Sequence, residues 1–263
     1  MYLSQILSEM TFDETGAEAS IDGSWTQGRA TFGGLVAAVG NHAMRKLVSA
    51  DRPLRSLQTT FVGPASAPGT WRLNTRVLRV GRAVTSVHCE VIDNGQVAAV
   101  LVGVYGAARE SAVKVRPEPL SAARPVDALR EIQGAPASLQ FLQYFAIRWS
   151  EGAPPFTGAP RTPTKAFIHH RDPVRTSESH VIALIDCIPT PAMSMFTTPA
   201  PSSSLVWTLE FFEHELDYPH DAWWRIDTDI DAAGEGYVHQ TGVLNNPDGR
   251  PIALSRQLFA VFA

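Results

Sequence analysis

Two polar side chains sit where apolar ones would be ordinary. Gln257 stands among Ala253, Leu254, Leu258 and Phe259, and a buried amide requires hydrogen-bond partners. Asp186 lies in the apolar run Val181-Ile-Ala-Leu-Ile-Asp-Cys-Ile-Pro189. Such a carboxylate can cap or begin a helix, or it can accept a proton in catalysis. Cys187 beside it lacks a His at any recognisable spacing, and a free cysteine is usually a buried packing residue. The run His169-His170-Arg171-Asp172 could bind metal or phosphate. Adjacent strand residues point to opposite faces, however, which favours a solvated or structural role. Arg72, Arg76, Arg79 and Arg82 have the chemistry to hold phosphates; an exposed strand face without a ligand explains them equally well.

The bulk properties exclude several classes. The chain has 263 residues, 44% hydrophobic and 18% charged, with a net charge of −4. That describes a globular protein with a real core and no electrostatic footprint for nucleic acid. Met1-Tyr-Leu-Ser-Gln5 lacks the basic start and apolar core of a signal peptide. Apolar stretches such as Val97–Val104 are too short to span a membrane. The two cysteines, Cys89 and Cys187, suggest neither a disulfide framework nor, with the histidines, a zinc site. A cytoplasmic protein with no metal and no cofactor is the default expectation.

The elements that must position these residues come in a repeat. Leu57-Gln-Thr-Thr-Phe61, Trp71-Arg-Leu73, Arg79-Val-Gly-Arg82, a turn at Asn94-Gly95 and the strand Gln96–Tyr105 make one series. Leu205-Val-Trp-Thr-Leu209, Trp224-Arg-Ile226, Gly234-Glu-Gly236, a turn at Asp248-Gly249 and the strand Arg250–Phe262 make another. Trp71 and Trp224 lie 153 apart, as do Gly81 and Gly234, while Gly95 and Gly249 lie 154 apart. Asn-Gly and Asp-Gly are strong hairpin signals, and the alternation through Val84–Val91 fits half-buried antiparallel strands. Each half therefore ends in an antiparallel meander.

Each meander has an apolar helix upstream. In the first half it is Gly33-Gly34 through Val48, uncharged until Arg45 and so expected to be buried against a sheet. The offset of 153 carries Gly33 onto Asp186, which predicts a second helix with its carboxylate near the helix start and Pro189 in the first turn. The same arithmetic carries Gln257 back to Gly103. The first half then lacks both carboxylate and amide, and a single site is expected in the second half. Residues 109–136, rich in Pro, Ala, Ser and charge, read as a linker between domains at 1–108 and 137–263. The fold class is α+β, with two antiparallel sheets each wrapped around a central helix.

That layout is a tandem double hotdog, and particular residues sharpen the likeness. Gly28-Arg-Ala-Thr-Phe-Gly-Gly34 before the apolar helix, Phe61–Pro64, Arg79-Val-Gly-Arg82, Phe145-Ala-Ile-Arg148 and Leu184-Ile-Asp186 together resemble segments of the acyl-CoA thioesterase II family. The likeness runs from about Trp25 to Phe262. It implies hydrolysis of an acyl-CoA thioester by a water held between an Asp, a Thr and a Gln. These fall on Asp186, Thr208 and Gln257. With acyl-CoA as substrate, Gly33 and Gly34, and Arg79 and Arg82 as phosphate ligands, are the candidate substrate-binding residues. The chain departs from the family pattern after the Thr, where Leu209-Glu-Phe-Phe212 replaces an Asp-His pair.

The chemistry is coherent. A carboxylate can act as general base on a water whose direction Thr and Gln fix, with no covalent intermediate. Backbone N–H groups at Gly33-Gly34, or at the turn before Asp186, are candidate donors to the developing oxyanion. A helix N-terminus would favour ionised Asp186, and burial would oppose it. The rivals are a hotdog hydratase or dehydratase, for which no Asp/His or His/Glu signature is found, and a non-catalytic acyl-CoA or lipid binder. The expected partner is the acyl-CoA substrate, with no nucleic acid or membrane. The assembly can be a self-contained unit or a homo-oligomer.

Overall fold

The structure, a computed structural model, describes residues 1–262 apart from 116, 119, 120 and 135. The first half runs through α1 (Leu3–Glu9), β1 (Thr11–Asp13), β2 (Gly16–Ile21), the short pair β3 (Thr26–Gln27) and β4 (Ala30–Thr31), and α2 (Gly33–Arg45). It closes with β5 (Leu54–Phe61), β6 (Gly69–Val80), β7 (Val84–Asp93) and β8 (Gln96–Gly106). The second half has β9 (Phe145–Glu151), β10 (Thr164–His170), α3 (Glu178–Asp186), β11 (Ser202–Phe211), β12 (Trp224–Gly234), β13 (Tyr237–Asn245) and β14 (Pro251–Val261).

The two expected sheets are one. The order is β1-β2-β6-β7-β8-β5-β11-β14-β13-β12-β10-β9, twelve strands in which the second six mirror the first six. The seam is the antiparallel pair β5–β11, with Leu209 opposite Leu57 and Thr208 opposite Gln58. Each of these strands would otherwise be an open edge with unpaired N–H and C=O groups, and pairing them satisfies both. The Asn94-Gly95 hairpin has positive φ at both residues, 49° and 77°, as a tight two-residue turn requires.

The repeat offset holds through the outer strands. Trp71 on β6 and Trp224 on β12 are both fully buried, followed by buried Leu73 and Ile226. Gly103 and Gln257 likewise share an inward register on β8 and β14, beside the buried pairs Ala99/Ala253 and Tyr105/Phe259.

In the helices the offset shrinks. α2 opens at Gly33 and α3 at Glu178, a separation of 145, so the counterpart of Asp186 is Asn41 and not Gly33. Asp186 is the last residue of α3 rather than near its start, and Pro189 follows the helix instead of entering its first turn. The helices pack with the start of each against the end of the other. A Cβ at Gly33 would lie 2.9 Å from Asp186 Oδ2. At the opposite corner Asn41 Nδ2 donates to Glu178 Oε1 at 2.7 Å.

α2 is buried on nearly every face because it is sandwiched between the sheet and α3. Two glycines permit that fit. A Cβ at Gly40 would sit 2.8 Å from Leu101 Cδ2 of β8, and one at Gly34 would sit 3.1 Å from the Ala183 carbonyl of α3. At the Asn41 corner, Tyr105 folds its ring over Gly103, with ring carbon Cε2 2.7 Å from where a Cβ would be. Its hydroxyl donates to Asn41 Oδ1 at 2.8 Å. Arg45 pairs with Glu178 at 3.3 Å and stacks on Tyr105.

Between the halves, the described residues of the expected linker carry a short 3-10 turn at Val126–Ala128 and a single bridge from Glu131 to Arg148. The rest of that reading, at residues 116, 119, 120 and 135, falls outside the described residues. No helix among the described residues is long and apolar enough to cross a membrane.

Candidate active site

Asp186 and Gln257 meet. Gln257, inward on β14, donates its Nε2 to Asp186 Oδ1 at 2.7 Å and to Ser204 Oγ at 3.0 Å. The first half reaches the same spot. The Gly34 backbone N–H is turned to the Asp186 carboxylate and favours its charged form, and Phe61 at the end of β5 packs against Gly33. The site thus lies between the halves, not within the second one as the repeat arithmetic suggests.

The electrostatics of Asp186 differ from expectation in cause. Its own helix ends at it, so the α3 dipole opposes ionisation, and the favourable dipole comes from the start of α2 across the helix pair. Asp186 keeps only partial exposure. Burial pushes its carboxyl from the ordinary 3.8 up to about 7, against the lowering effect of the Gln257 amide and the Gly34 N–H. That value suits a group that must gain and lose a proton near neutrality.

Thr208 is not part of this cluster. It stands on β11 between buried Trp207 and Leu209, so the period of two turns it to the opposite face. Its paired residues are Gln58 and Arg256. The hydroxyl at the site belongs to Ser204. From Trp207, plain alternation would turn Ser204 outward as well, three residues away. A β-bulge between Ser204 and Val206 inserts Leu205 and restores Ser204 to the inward side, opposite Phe259. A serine run at 202–204 leading into a strand is a weak signal, and bulges are not legible from alternation.

Arg79 and Arg82 are not brought to the site. Both are exposed at the β6–β7 hairpin, level with Leu54 and Gly106, at the other end of the strands from Phe61. Arg72 is engaged elsewhere, forming two hydrogen bonds to Asp13 at 2.6 and 2.8 Å. Cys187 is buried, and burial beside Asp186 pushes its thiol well above the ordinary range, which agrees with a packing role.

The histidine run is structural. His170 turns inward and stacks on His180 at 4.2 Å, while His169 packs on Trp223. His180 Nε2 lies 3.1 Å from Asp172, which also accepts from the Ser4 N–H and hydroxyl. The adjoining cavity is about 10 Å³, enough for about one water and no acyl group.

Comparison with known proteins agrees with this architecture. Residues 21–106 match the acyl-CoA thioesterase N-terminal domain and residues 117–261 the acyl-CoA thioesterase C-terminal domain. No curated protein matches the chain. Among solved structures, a conserved hotdog-fold protein of unknown function from Alicyclobacillus acidocaldarius superposes with a TM-score of 0.87 at 18% identity, covering 100% of this chain and 99% of that one. The tesB protein of Mycobacterium avium subs paratuberculosis gives 0.80 at 15% identity, covering 99% and 98%. The acyl-CoA thioesterase II of Mycobacterium marinum gives 0.79 at 17% identity, covering 99% and 98%. At such identities these likenesses establish the hotdog fold. The two domain matches between them take in most of both halves, and the chain belongs to the acyl-CoA thioesterase family.

Proposed function

We propose that the protein hydrolyses an acyl-CoA thioester to the free acid and CoA, using a water activated by Asp186. The observation that carries this reading is the shape around the carboxylate. Oδ1 is held by Gln257, whereas Oδ2 packs against Gly33, where a Cβ would come within 2.9 Å of it. The carboxylate is partly exposed, and a water can reach the base from that side.

In this reading Asp186 takes a proton from the water as its oxygen attacks the thioester carbon. Gln257 and Ser204 orient the carboxylate and the water. The N–H of Gly33, at the start of α2, faces the developing oxyanion, while that of Gly34 is turned to the carboxylate. Collapse of the tetrahedral intermediate breaks the carbon–sulfur bond, and the departing thiolate takes the proton from Asp186. No covalent enzyme intermediate forms, and Cys187 has no part.

The test is thiol release from a panel of acyl-CoAs of increasing chain length. Turnover of at least one member by a folded protein is expected; silence across the panel would sink the reading. The pH profile adds a second check. Asp186 must be ionised to accept a proton, and its carboxyl is raised to about 7. The rate kcat/KM is therefore expected to rise with pH, half-maximal near pH 7, and to level off above. A profile flat from about pH 5 upward would mean a base with an ordinary carboxyl pKa.

The two hydroxyls can be separated directly. Ser204→Ala is expected to lower kcat/KM by about three- to tenfold, the scale of one lost hydrogen bond to the neutral Gln257 amide. Thr208→Ala, on the outer face, is expected to stay within about twofold of the parent. Steady-state kinetics of the two variants side by side decide the assignment, and the reverse ranking would restore Thr208.

A further inference from the structure

One buried polar group beside the site has no partner. Gln240 on β13 stands directly opposite Gln257 on β14, and both side chains face inward. Gln240 is only 6% exposed, and its Oε1 has no hydrogen-bond partner among the described residues. Buried side-chain acceptors are almost always paired in folded proteins, and each exception calls for an explanation.

The surroundings show what could pair with it. Gln240 is flanked across the strands by Ile230 on β12. Ile230 joins Val238, Phe259, Ala192 and Met193 in one apolar cluster. The last two come from the 3-10 turn Pro191–Met195, which follows Asp186 closely in the chain. An apolar cluster next to the Gln257 strand, with one unspent amide at its edge, has the composition of a ligand-binding lining, where few polar groups fix orientation. A second orphan acceptor, Thr228 Oγ1, is buried one residue pair further along the same face.

We propose that Gln240 is a specificity-determining residue that accepts a hydrogen bond from a hydroxyl carried by the acyl group of the substrate. This rests on the thioesterase reading above. Adjacent strands lie about 4.8 Å apart, so the hydroxyl sits a few carbons along the chain from the carbonyl that meets Asp186 and Gln257. A plain alkanoyl chain leaves Oε1 unpaired in the complex, as it is in the free protein. A hydroxylated chain supplies the missing donor and is preferred. A site built to hydrogen-bond a substrate hydroxyl rejects the analogue that lacks it, because the buried partner is then left empty.

The experiment compares hexanoyl-CoA with its hydroxylated forms, the hydroxyl being moved from the third carbon to the fifth, for the parent and for Gln240→Leu. In the parent, kcat/KM for the best-placed hydroxyl is expected to exceed that for hexanoyl-CoA by at least about tenfold. In Gln240→Leu that ratio is expected to fall to one or below. Gln240→Asn, which keeps the amide but withdraws it by a methylene, is expected to fall between and decides the matter if the leucine variant does not fold. A ratio that both variants leave unchanged overturns the proposal, and so does a parent that turns over hexanoyl-CoA as well as any hydroxylated form. If the parent cleaves none of these thioesters, the thioesterase reading fails separately. Calorimetric binding of the same intact thioesters then decides Gln240 by the same ratio, with the same two outcomes.

Discussion

Asp186→Asn is expected to lower thioester turnover by about a thousandfold, within the range usual for loss of a general base, while leaving the protein folded. Asn keeps the shape and can still accept from the Gln257 Nε2 and the Gly34 N–H, but it cannot take a proton from water. The variant should also shift stability in a pH-dependent direction. The Asp186 carboxyl is raised from 3.8 to about 7 in the folded protein, so the folded state holds its proton more tightly than the unfolded chain. Its contribution to stability is fully present below about pH 3.8 and is lost as the pH rises through 7. Asn never ionises. The melting temperature of the variant relative to the parent is therefore expected to climb between those two pH values. Unchanged turnover in a folded Asp186→Asn would remove Asp186 from the chemistry. A melting difference that falls with pH would contradict the raised carboxyl.

Gly34→Val is the second large effect. A Cβ at this position would lie 2.5 Å from the Phe32 ring and 3.1 Å from the Ala183 carbonyl. The phenyl ring can turn aside; the carbonyl belongs to the α3 backbone and moves only with the helix. Overpacking of this kind costs about 1–3 kcal/mol, and a β-branched residue adds side-chain restriction. A fall in melting temperature of roughly 5 °C or more is expected for a chain of this size. Catalysis should fall further than stability alone explains, because separating α2 from α3 pulls the Gly34 N–H away from Asp186. Gly33→Ala is the comparison. Its Cβ meets the Asp186 Oδ2 at 2.9 Å and the edge of Phe61 at 3.2 Å, so it is expected to lose turnover with a smaller loss of melting temperature. Melting curves and kcat/KM for the two variants check the contrast. Equal melting temperatures for Gly34→Val and the parent would mean that the helices are not held at this distance.

The meanders were legible because their signals are local. Asn94-Gly95, Asp248-Gly249 and the alternation through Val84–Val91 depend on neighbouring residues, and the paired tryptophans fixed the strand offset. The seam was not legible, since the pairing of β5 with β11 joins strands from different halves of the chain, far apart in sequence. The end of α3 was missed for a different reason: the repeat keeps its spacing in strands locked by pairing, whereas loops between them absorb insertions. Applying the strand offset to the helices therefore placed Gly33 where Asn41 belongs. Gln257 could be singled out because it is an amide among large apolar residues, and Asp186 for the same reason. Ser204 could not, because a single bulged residue reverses which way a strand side chain faces.

The β5–β11 seam has a consequence for how the molecule could change over time. Two identical chains paired along that edge would carry matching corners between their helices, and every substitution would appear in both. Joined in one polypeptide, the corners are free to differ. One has Asp186 facing a bare glycine. The other has Asn41 tied to Glu178 and Tyr105, a clasp of neutral amide, carboxylate and phenol. The fastened corner can hold the helices in register with no proton to move, and the Asp186 corner can tolerate a destabilising acid because its twin is tied. Gene fusion, on this view, allowed the division between a hinge pin and a reaction vessel that a symmetric pair could not make.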